Sequence, residues 1–218
     1  MPSSRKNMFF ILAGLIMMSI TSVIAQQPVF IELPQPQTDG GKPLMQVLNS
    51  RHTVRSFTDS VLTEQQLSNL LWAAFGVNRT DGNKRTAPSS MNQQEIDIYV
   101  FTAQGVFLYD APRHRLQVIL DKDLRPLTGV QDFVAWAAVN LVYIADHTKS
   151  TSQDEIERSK TSHVNTGFIA QNVYLYCASE GLGCVVRGMV NRDELKKQLE
   201  LEPTQEIIVA QTVGYIKE

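Results

Sequence analysis

Arg85-Thr86-Ala87-Pro88-Ser89-Ser90-Met91-Asn92-Gln93-Gln94 leads into the strand-like run Ile96-Asp97-Ile98-Tyr99-Val100-Phe101. Pro88 fixes its own φ near −65° and pushes Ala87 toward extended backbone. Two hydroxyls and three amides follow it. A rigid turn carrying small and amide side chains therefore stands at the mouth of a sheet. Ser, Asn and Gln donate and accept hydrogen bonds without carrying charge. Read alone, the stretch is a polar turn between a helix and a strand, since Ser and Asn populate most turns. The same groups could also grip a flat ligand whose rim alternates donors and acceptors.

Downstream, Ile96–Thr102 alternates in strand fashion, Gln104-Gly105 turns, and Val106–Asp110 returns. Ala111–His114 turns again into Arg115–Leu120, which completes an antiparallel meander. Asp121–Gln131 is a charged connection. A short helix is expected over Asp132–Ala138 and a buried strand over Val139–Ala145. Ser152–Glu180 reads as a long helix, apolar on several sides and interleaved with Gly167, Ala170 and Ala178, so it calls for burial all round. A dimer interface would supply that burial. Gly181-Leu182-Gly183 ends the helix, Cys184–Val186 is a strand, Asn191 with Glu194 caps a helix to Glu200, and Glu206–Val213 is the last strand.

Upstream, Thr63 and Gln66 form a capping-box pattern before Leu67, Leu70, Leu71, Ala74 and Phe75, with Gly76 placed to end the helix. Pro43–Asn49 makes a shorter one. Between them lies Ser50-Arg51-His52-Thr53-Val54-Arg55-Ser56-Phe57, where three potentially cationic side chains fall within five residues. A solvated charge cluster is one reading. The planar donor fork of arginine also suits a phosphate. Asn78–Lys84 is a polar loop. Gln26–Pro43, with Pro28, Pro34, Pro36 and Gly40-Gly41, reads as an extended arm of the kind that can wrap a partner subunit.

Before the arm, Arg5 and Lys6 precede the uncharged apolar run Met8–Ile24, and Val23-Ile24-Ala25 fits a signal-peptidase site. The reading is a signal peptide over 1–25, cleaved after Ala25, and a protein that is periplasmic in a Gram-negative cell. Polar Gln26-Gln27 directly after the site favours cleavage over an uncleaved anchor of about 17 residues. Loss of Arg5 and Lys6 leaves 18 basic against 22 acidic side chains, a net charge of −4. That balance offers nucleic acid no electrostatic footprint. The histidines at 52, 114, 147 and 163 are scattered without metal-ligand spacing. Cys177 and Cys184 are expected as buried free thiols, since Cys often behaves as a small hydrophobe. The chain from 44 to 218 is long and apolar enough for a single domain.

Three landmarks, taken together, resemble the nitroreductase family of flavin enzymes, in particular the branch related to azoline-forming (SagB-type) dehydrogenases. They are Ser-Arg-His-Thr-Val-Arg-Ser-Phe at 50–57, Ala-Pro-Ser-Ser-Met-Asn-Gln-Gln at 87–94 and Gly-Leu-Gly-Cys-Val-Val-Arg-Gly at 181–188. The resemblance implies an α+β fold with a central, mainly antiparallel sheet flanked by helices, and a homodimer with FMN at each interface. Carried over by position, Arg51 and Arg55 hold the phosphate and the pyrimidine edge of the ring, with His52 and Thr53 as their companions. Pro88, Ser89, Ser90 and Asn92 form the turn that reaches the partner's flavin, and Gln94 supports that turn. Arg187 and Gly188 end a strand whose backbone N–H groups face flavin N5. Gln131 is a further pyrimidine candidate. Family members place another Arg or Lys past the last strand, and Lys217 is the residue available to substitute.

The implied activity is that of an FMN-dependent oxidoreductase. It passes two electrons from a reduced nicotinamide or another donor to a small electrophile such as a nitroaromatic or quinone. No side chain acts as catalytic acid or base, because the cofactor carries the chemistry. A non-catalytic flavin-binding protein of the envelope would use the same residues. A serine hydrolase built on Ser89 or Ser90 lacks the G-x-S-x-G elbow.

Overall fold

A computed structural model of the chain describes residues 27–217. The expected leader and its Ala25 cleavage site lie outside them. No helix among the described residues is long and apolar enough to cross a membrane.

The expected meander forms as β4 (Ile96–Thr102), β5 (Gly105–Asp110) and β6 (Arg115–Leu120). It is extended on one side by β7 (Val139–Asp146), β9 (Gln205–Tyr215) and β8 (Leu182–Arg187), and on the other by β1 (Phe30–Glu32). The seven-stranded order is β1-β6-β5-β4-β7-β9-β8, and every neighbouring pair is antiparallel. With four α-helices, α1 (Leu44–Ser50), α2 (Glu64–Phe75), α3 (Glu155–Glu180) and α4 (Arg192–Gln198), the fold is the α+β architecture read from the landmarks.

Both sheet faces are covered, so the central strand β7 is apolar almost throughout. Leu70, Leu71, Ile169 and Val173 of α2 and α3 pack with Ile98, Leu141 and Tyr143. Leu195 and Leu199 pack with Phe101, Val142, Ile144 and Ile207 in a second cluster. The capping box of α2 is complete: Thr63 Oγ1 accepts the Gln66 N–H and the Gln66 amide oxygen accepts the Thr63 N–H. Gly76 ends α2 for a different reason from the usual left-handed cap. Its φ is −68°, and a Cβ there would lie 2.7 Å from the Trp72 backbone. Gly181 is the left-handed cap of α3, at φ 72°.

Several local readings change. The helix expected over Asp132–Ala138 is a single 3-10 turn, Asp132–Ala135. Asn191 occupies the N-cap of α4 but its side chain makes no capping bond, and α4 stops at Gln198. The loop 78–84 contains a small hairpin of β2 (Val77–Arg79) and β3 (Lys84–Arg85). The arm lies against its own chain: β1 pairs with β6, Ser68 Oγ donates to the Pro34 carbonyl, and the Gln37 N–H donates to Asn69 Oδ1. Cys177 and Cys184 are buried free thiols.

Candidate functional site

The segment Arg51–Phe57 has no helix or sheet of its own, yet it is fixed at both ends. The Val54 N–H donates to the Cys184 carbonyl on β8, and Phe57 bridges Ile216. Val54 and Phe57 sink into a third apolar cluster with Phe133, Val134, Ala137 and Val185. Full burial of each is worth about 1.5–3 kcal/mol. The alternation then turns the intervening polar residues outward, so His52 and Arg55 are exposed and Arg51 and Thr53 half-buried. The Arg51 guanidinium lies 5.2 Å from the Tyr174 ring centroid, a cation–π arrangement. Thr53 Oγ1 lies 3.2 Å from the Tyr174 hydroxyl, and His52 Nδ1 lies 2.9 Å from the Ser50 carbonyl.

Lys217 joins this group. Its N–H donates to the Ser56 carbonyl at 3.1 Å, which sets the last basic residue opposite Ser56. Among the described residues, the side chains of Arg51, Arg55 and Lys217 form no ion pair and donate no hydrogen bond. The cations at positions 51, 55 and 217 thus lack carboxylate partners. That is the donor set a phosphate dianion needs.

Three residues further along β8, about 10 Å at strand rise, sits Arg187. Its side chain turns into the protein and does not reach a ligand surface. Nε donates to Thr212 Oγ1 at 3.0 Å, Nη1 to the Thr128 carbonyl at 2.6 Å and Nη2 to Asn140 Oδ1 at 3.1 Å. Burial pulls its pKa down to about 10, so the guanidinium stays charged at neutral pH. Arg187 can therefore offer a ligand only its main chain, as can the exposed Gly188. Gly129 packs so closely that a Cβ there would overlap Arg187 Nη1 and lie 2.9 Å from Gln131 Oε1. Gln131 Oε1 is buried and has no hydrogen-bond partner. A pocket of about 420 Å3 opens here, lined by Gly129, Val130, Gln131 and Trp136.

The 88–94 turn is elsewhere. Met91, Asn92 and Gln94 all take left-handed backbone, with φ of 49°, 56° and 52°. Such strain persists only where the surroundings enforce it. Ser89 Oγ accepts the Gln94 N–H, Gln94 Nε2 donates to Asn92 Oδ1, and Gln94 Oε1 accepts Arg85 Nε. The Ser90 N–H donates to Asn165 Oδ1 on α3, whose Nδ2 in turn donates to the buried Glu95. Gln94 thus ties Ser89 and Asn92 together. Pro88, Ser90 and Asn92 are exposed, and neither Ser89 nor Ser90 bonds a histidine among the described residues.

Tyr174 anchors the first group on α3 and Asn165 anchors the turn on the same helix, nine residues earlier. At 1.5 Å per residue the two anchors stand about 14 Å apart. Through the third apolar cluster the 51–57 segment adjoins the 132–135 turn and β8, whereas 88–94 is held at the other anchor. Tyr174, Asn165, Glu95 and Arg85 were not singled out from sequence. The Tyr174 hydroxyl, between apolar Val173 and Leu175, is the signal available for one of them.

A model of the family described as "Nitroreductase family" matches residues 48–215. A curated nitroreductase homologue from Methanocaldococcus jannaschii is 32% identical over 169 residues, covering 73% of this chain and 85% of its own. A nitroreductase crystal structure from Ralstonia eutropha JMP134 superposes with a TM-score of 0.82 at 43% identity, over 87% of this chain and 90% of that one. A Desulfovibrio desulfuricans nitroreductase solved in complex with FMN shares the fold at 20% identity and a TM-score of 0.59, over 82% and 89% of the two chains. The protein is a member of the nitroreductase family.

Proposed function

We propose that the chain is an FMN-dependent oxidoreductase that works as a homodimer. It takes two electrons from a reduced nicotinamide, or another donor, and delivers them to a small electrophile such as a nitroaromatic or quinone. The observation that carries this reading is the strip from Arg51, Arg55 and Lys217 along β8 to Gln131 and Gly188. It has unpaired cations at one end and an orphaned buried amide oxygen at the other. A dianionic phosphate fits the first end. A ring N–H donor satisfies the second, because a buried acceptor without a partner costs about 1–3 kcal/mol.

In this reading Arg51, Arg55 and Lys217 bind the phosphate end and His52 and Thr53 shape its rim. A guanidinium near the pyrimidine edge favours the reduced, anionic ring. FMN supplies the hydride chemistry when bound, and no acid or base is required of the chain. The Pro88–Asn92 turn is assigned to the flavin of a second copy, which accounts for a turn held rigid with its polar tip in solvent. An exposed stripe on α3 supports the dimer: Val164 and Phe168 are 58% and 44% exposed, and Gly167 stands in open space. The leader adds export to the reading, which N-terminal sequencing of the mature protein, beginning at Gln26, would check.

The test is the absorption spectrum of the purified protein. It should carry an oxidised-flavin band that bleaches on dithionite reduction and returns on adding menadione. Colourless protein that FMN cannot reconstitute would overturn the proposal. A flavin that reduces but resists reoxidation by any acceptor would reduce it to flavin binding.

A further inference from the structure

Away from the β8 strip, a cleft of about 500 Å3 opens between the 88–94 turn and strands β4, β5 and β6. That volume lies within the range of small-molecule sites. Its charged lining is four cations, Arg85, Arg113, Arg115 and Lys149, against two carboxylates, Asp97 and Asp110. The chain as a whole is net negative, so the positive balance here is local.

The pairing is uneven. Asp110 is shared by Arg115, whose Nε donates at 2.9 Å, and by Arg113 at 3.5 Å. Asp97 is engaged by Lys149 at 2.8 Å. Arg85 is left without a carboxylate. Its Nε is used by the Gln94 amide oxygen, its Nη1 is buried with no acceptor, and its carbon Cζ lies 5.3 Å from the Phe75 ring centroid. Burial also works against its charge. An unpaired, partly desolvated guanidinium is costly and gains from any anion that reaches it. Phe30, Phe75 and Leu108 give the same cleft apolar walls.

We propose that this cleft is a binding site for a small carboxylate with a flat apolar body, the carboxylate engaging Arg85 and the body resting between Leu108 and Phe30. Nη2, the guanidinium nitrogen neither committed to Gln94 nor buried, donates to the carboxylate in a charge-assisted hydrogen bond, and the apolar walls select the remainder of the molecule. Because Arg85 also holds Gln94, ligand and turn share one guanidinium. The cleft is distinct from the β8 strip, since none of the residues at 51–55, 131, 187–188 or 217 lines it, and it meets the flavin reading only at Gln94 of the turn.

Titration of sodium benzoate into the purified protein by calorimetry, at constant ionic strength, tests this. Saturable binding at one site per chain is expected, with no heat from benzamide, which keeps the shape and lacks the charge. Arg85→Gln should weaken benzoate at least tenfold, and Arg79→Gln, outside the cleft, should leave it unchanged. Leu108→Trp fills the cleft from the sheet side while sparing Arg85, and should abolish binding. It decides the matter alone if Arg85→Gln does not fold. Absence of saturable heat, benzamide binding as well as benzoate, or benzoate affinity surviving Leu108→Trp would each overturn the proposal. Inorganic phosphate displacing benzoate from this site at equal concentration would remove the role given to the apolar walls and overturn it too.

Discussion

The Tyr174 hydroxyl accepts the backbone N–H of Val186 at 3.1 Å. The same oxygen lies 3.2 Å from Thr53 Oγ1. One helix side chain therefore ties the cationic segment and β8 into a single unit. Tyr174→Phe keeps the ring beneath Arg51 and leaves the Val186 N–H without its acceptor. The expected cost is about 1–2 kcal/mol. At roughly 2–4 °C per kcal/mol for a chain of this size, the Tm should fall by about 2–8 °C in a calorimetric scan. FMN retention on gel filtration should fall with it. An unchanged Tm would show that the link contributes nothing.

Retention should also separate exposed arginines by place. Arg55→Ala removes a cation that no protein carboxylate engages, whereas Arg113→Ala removes one already shared with Asp110. FMN affinity, measured by fluorescence quenching, should drop at least tenfold for the first and stay within twofold for the second. Equal losses would break the assignment of Arg55 to the phosphate and ring edge.

Gly129 and Arg187 should be coupled. Gly129 has extended backbone that any residue can adopt, so Gly129→Ala is opposed chiefly by the Arg187 guanidinium in the space of the new methyl, with Gln131 Oε1 at 2.9 Å a lesser contact. Displacing that guanidinium breaks hydrogen bonds worth about 1.5–3 kcal/mol each, so the single variant should lose roughly 3 kcal/mol. Arg187→Met alone leaves the Thr128 carbonyl without its donor and strips Asn140 Oδ1 of one of its two donors, the other being Thr212 Oγ1, and should cost a similar amount. In the double variant the collision is gone. Chemical denaturation should then show a loss smaller than the sum by at least about 1 kcal/mol, as expected for residues in contact. Strict additivity would show that the two do not constrain each other.

What could be read from the chain follows the range of the interactions involved. The meander was legible because alternation and turns are local: Ile96–Thr102 and Arg115–Leu120 form with the expected bounds. Thr63 and Gln66 meet within one helical turn, so α2 was legible too. The strand Phe30–Glu32 was not, because three residues flanked by prolines exist as a strand only by virtue of β6. Asn191 matched a capping pattern that its side chain does not complete. In the site, the cations at 51 and 55 were visible as residue types, but their support was not. Thr53 and Tyr174 are 121 residues apart, and Ser90 and Asn165 are 75 apart. The inward turn of the Arg187 side chain depends on Thr128, Asn140 and Thr212, which no spacing rule connects.

The arm should loosen in mild acid. Ser68 Oγ donates to the Pro34 carbonyl and lies 2.7 Å from His114 Nε2, while His114 Nδ1 lies 2.8 Å from the Tyr109 hydroxyl. With the Ser68 proton committed to Pro34, Nε2 carries the imidazole proton and Nδ1 accepts from Tyr109. The network thus requires neutral histidine. Burial, the larger influence, lowers the His114 pKa from its ordinary 6.5, against a smaller upward pull from the Pro34 carbonyl. The folded chain therefore resists a proton that the unfolded chain accepts. The stabilisation is full above about pH 6.5 and declines as pH falls below it. The Tm advantage of the wild type over His114→Gln should shrink between pH 7.5 and 5.5, and an advantage that grows would refute the assignment.

The exposed stripe of α3 gives the test that bears most directly on a shared site. Val164 and Phe168 lie one turn apart with Gly167 between them, and nothing in the described chain covers them. Burial of a side chain such as Phe168 against a second copy is worth about 1.5–3 kcal/mol, and a charge placed there would have to be desolvated without a partner. Phe168→Arg should therefore halve the mass in sedimentation equilibrium. Because Phe168 touches none of the residues assigned to the phosphate, a chain that bound flavin by itself would keep its affinity. If instead the Pro88–Asn92 turn serves the flavin of the other copy, FMN should be lost in step with the dimer. A monomeric variant that retains FMN at wild-type affinity would separate the turn from the cofactor and require the site to be complete within one chain.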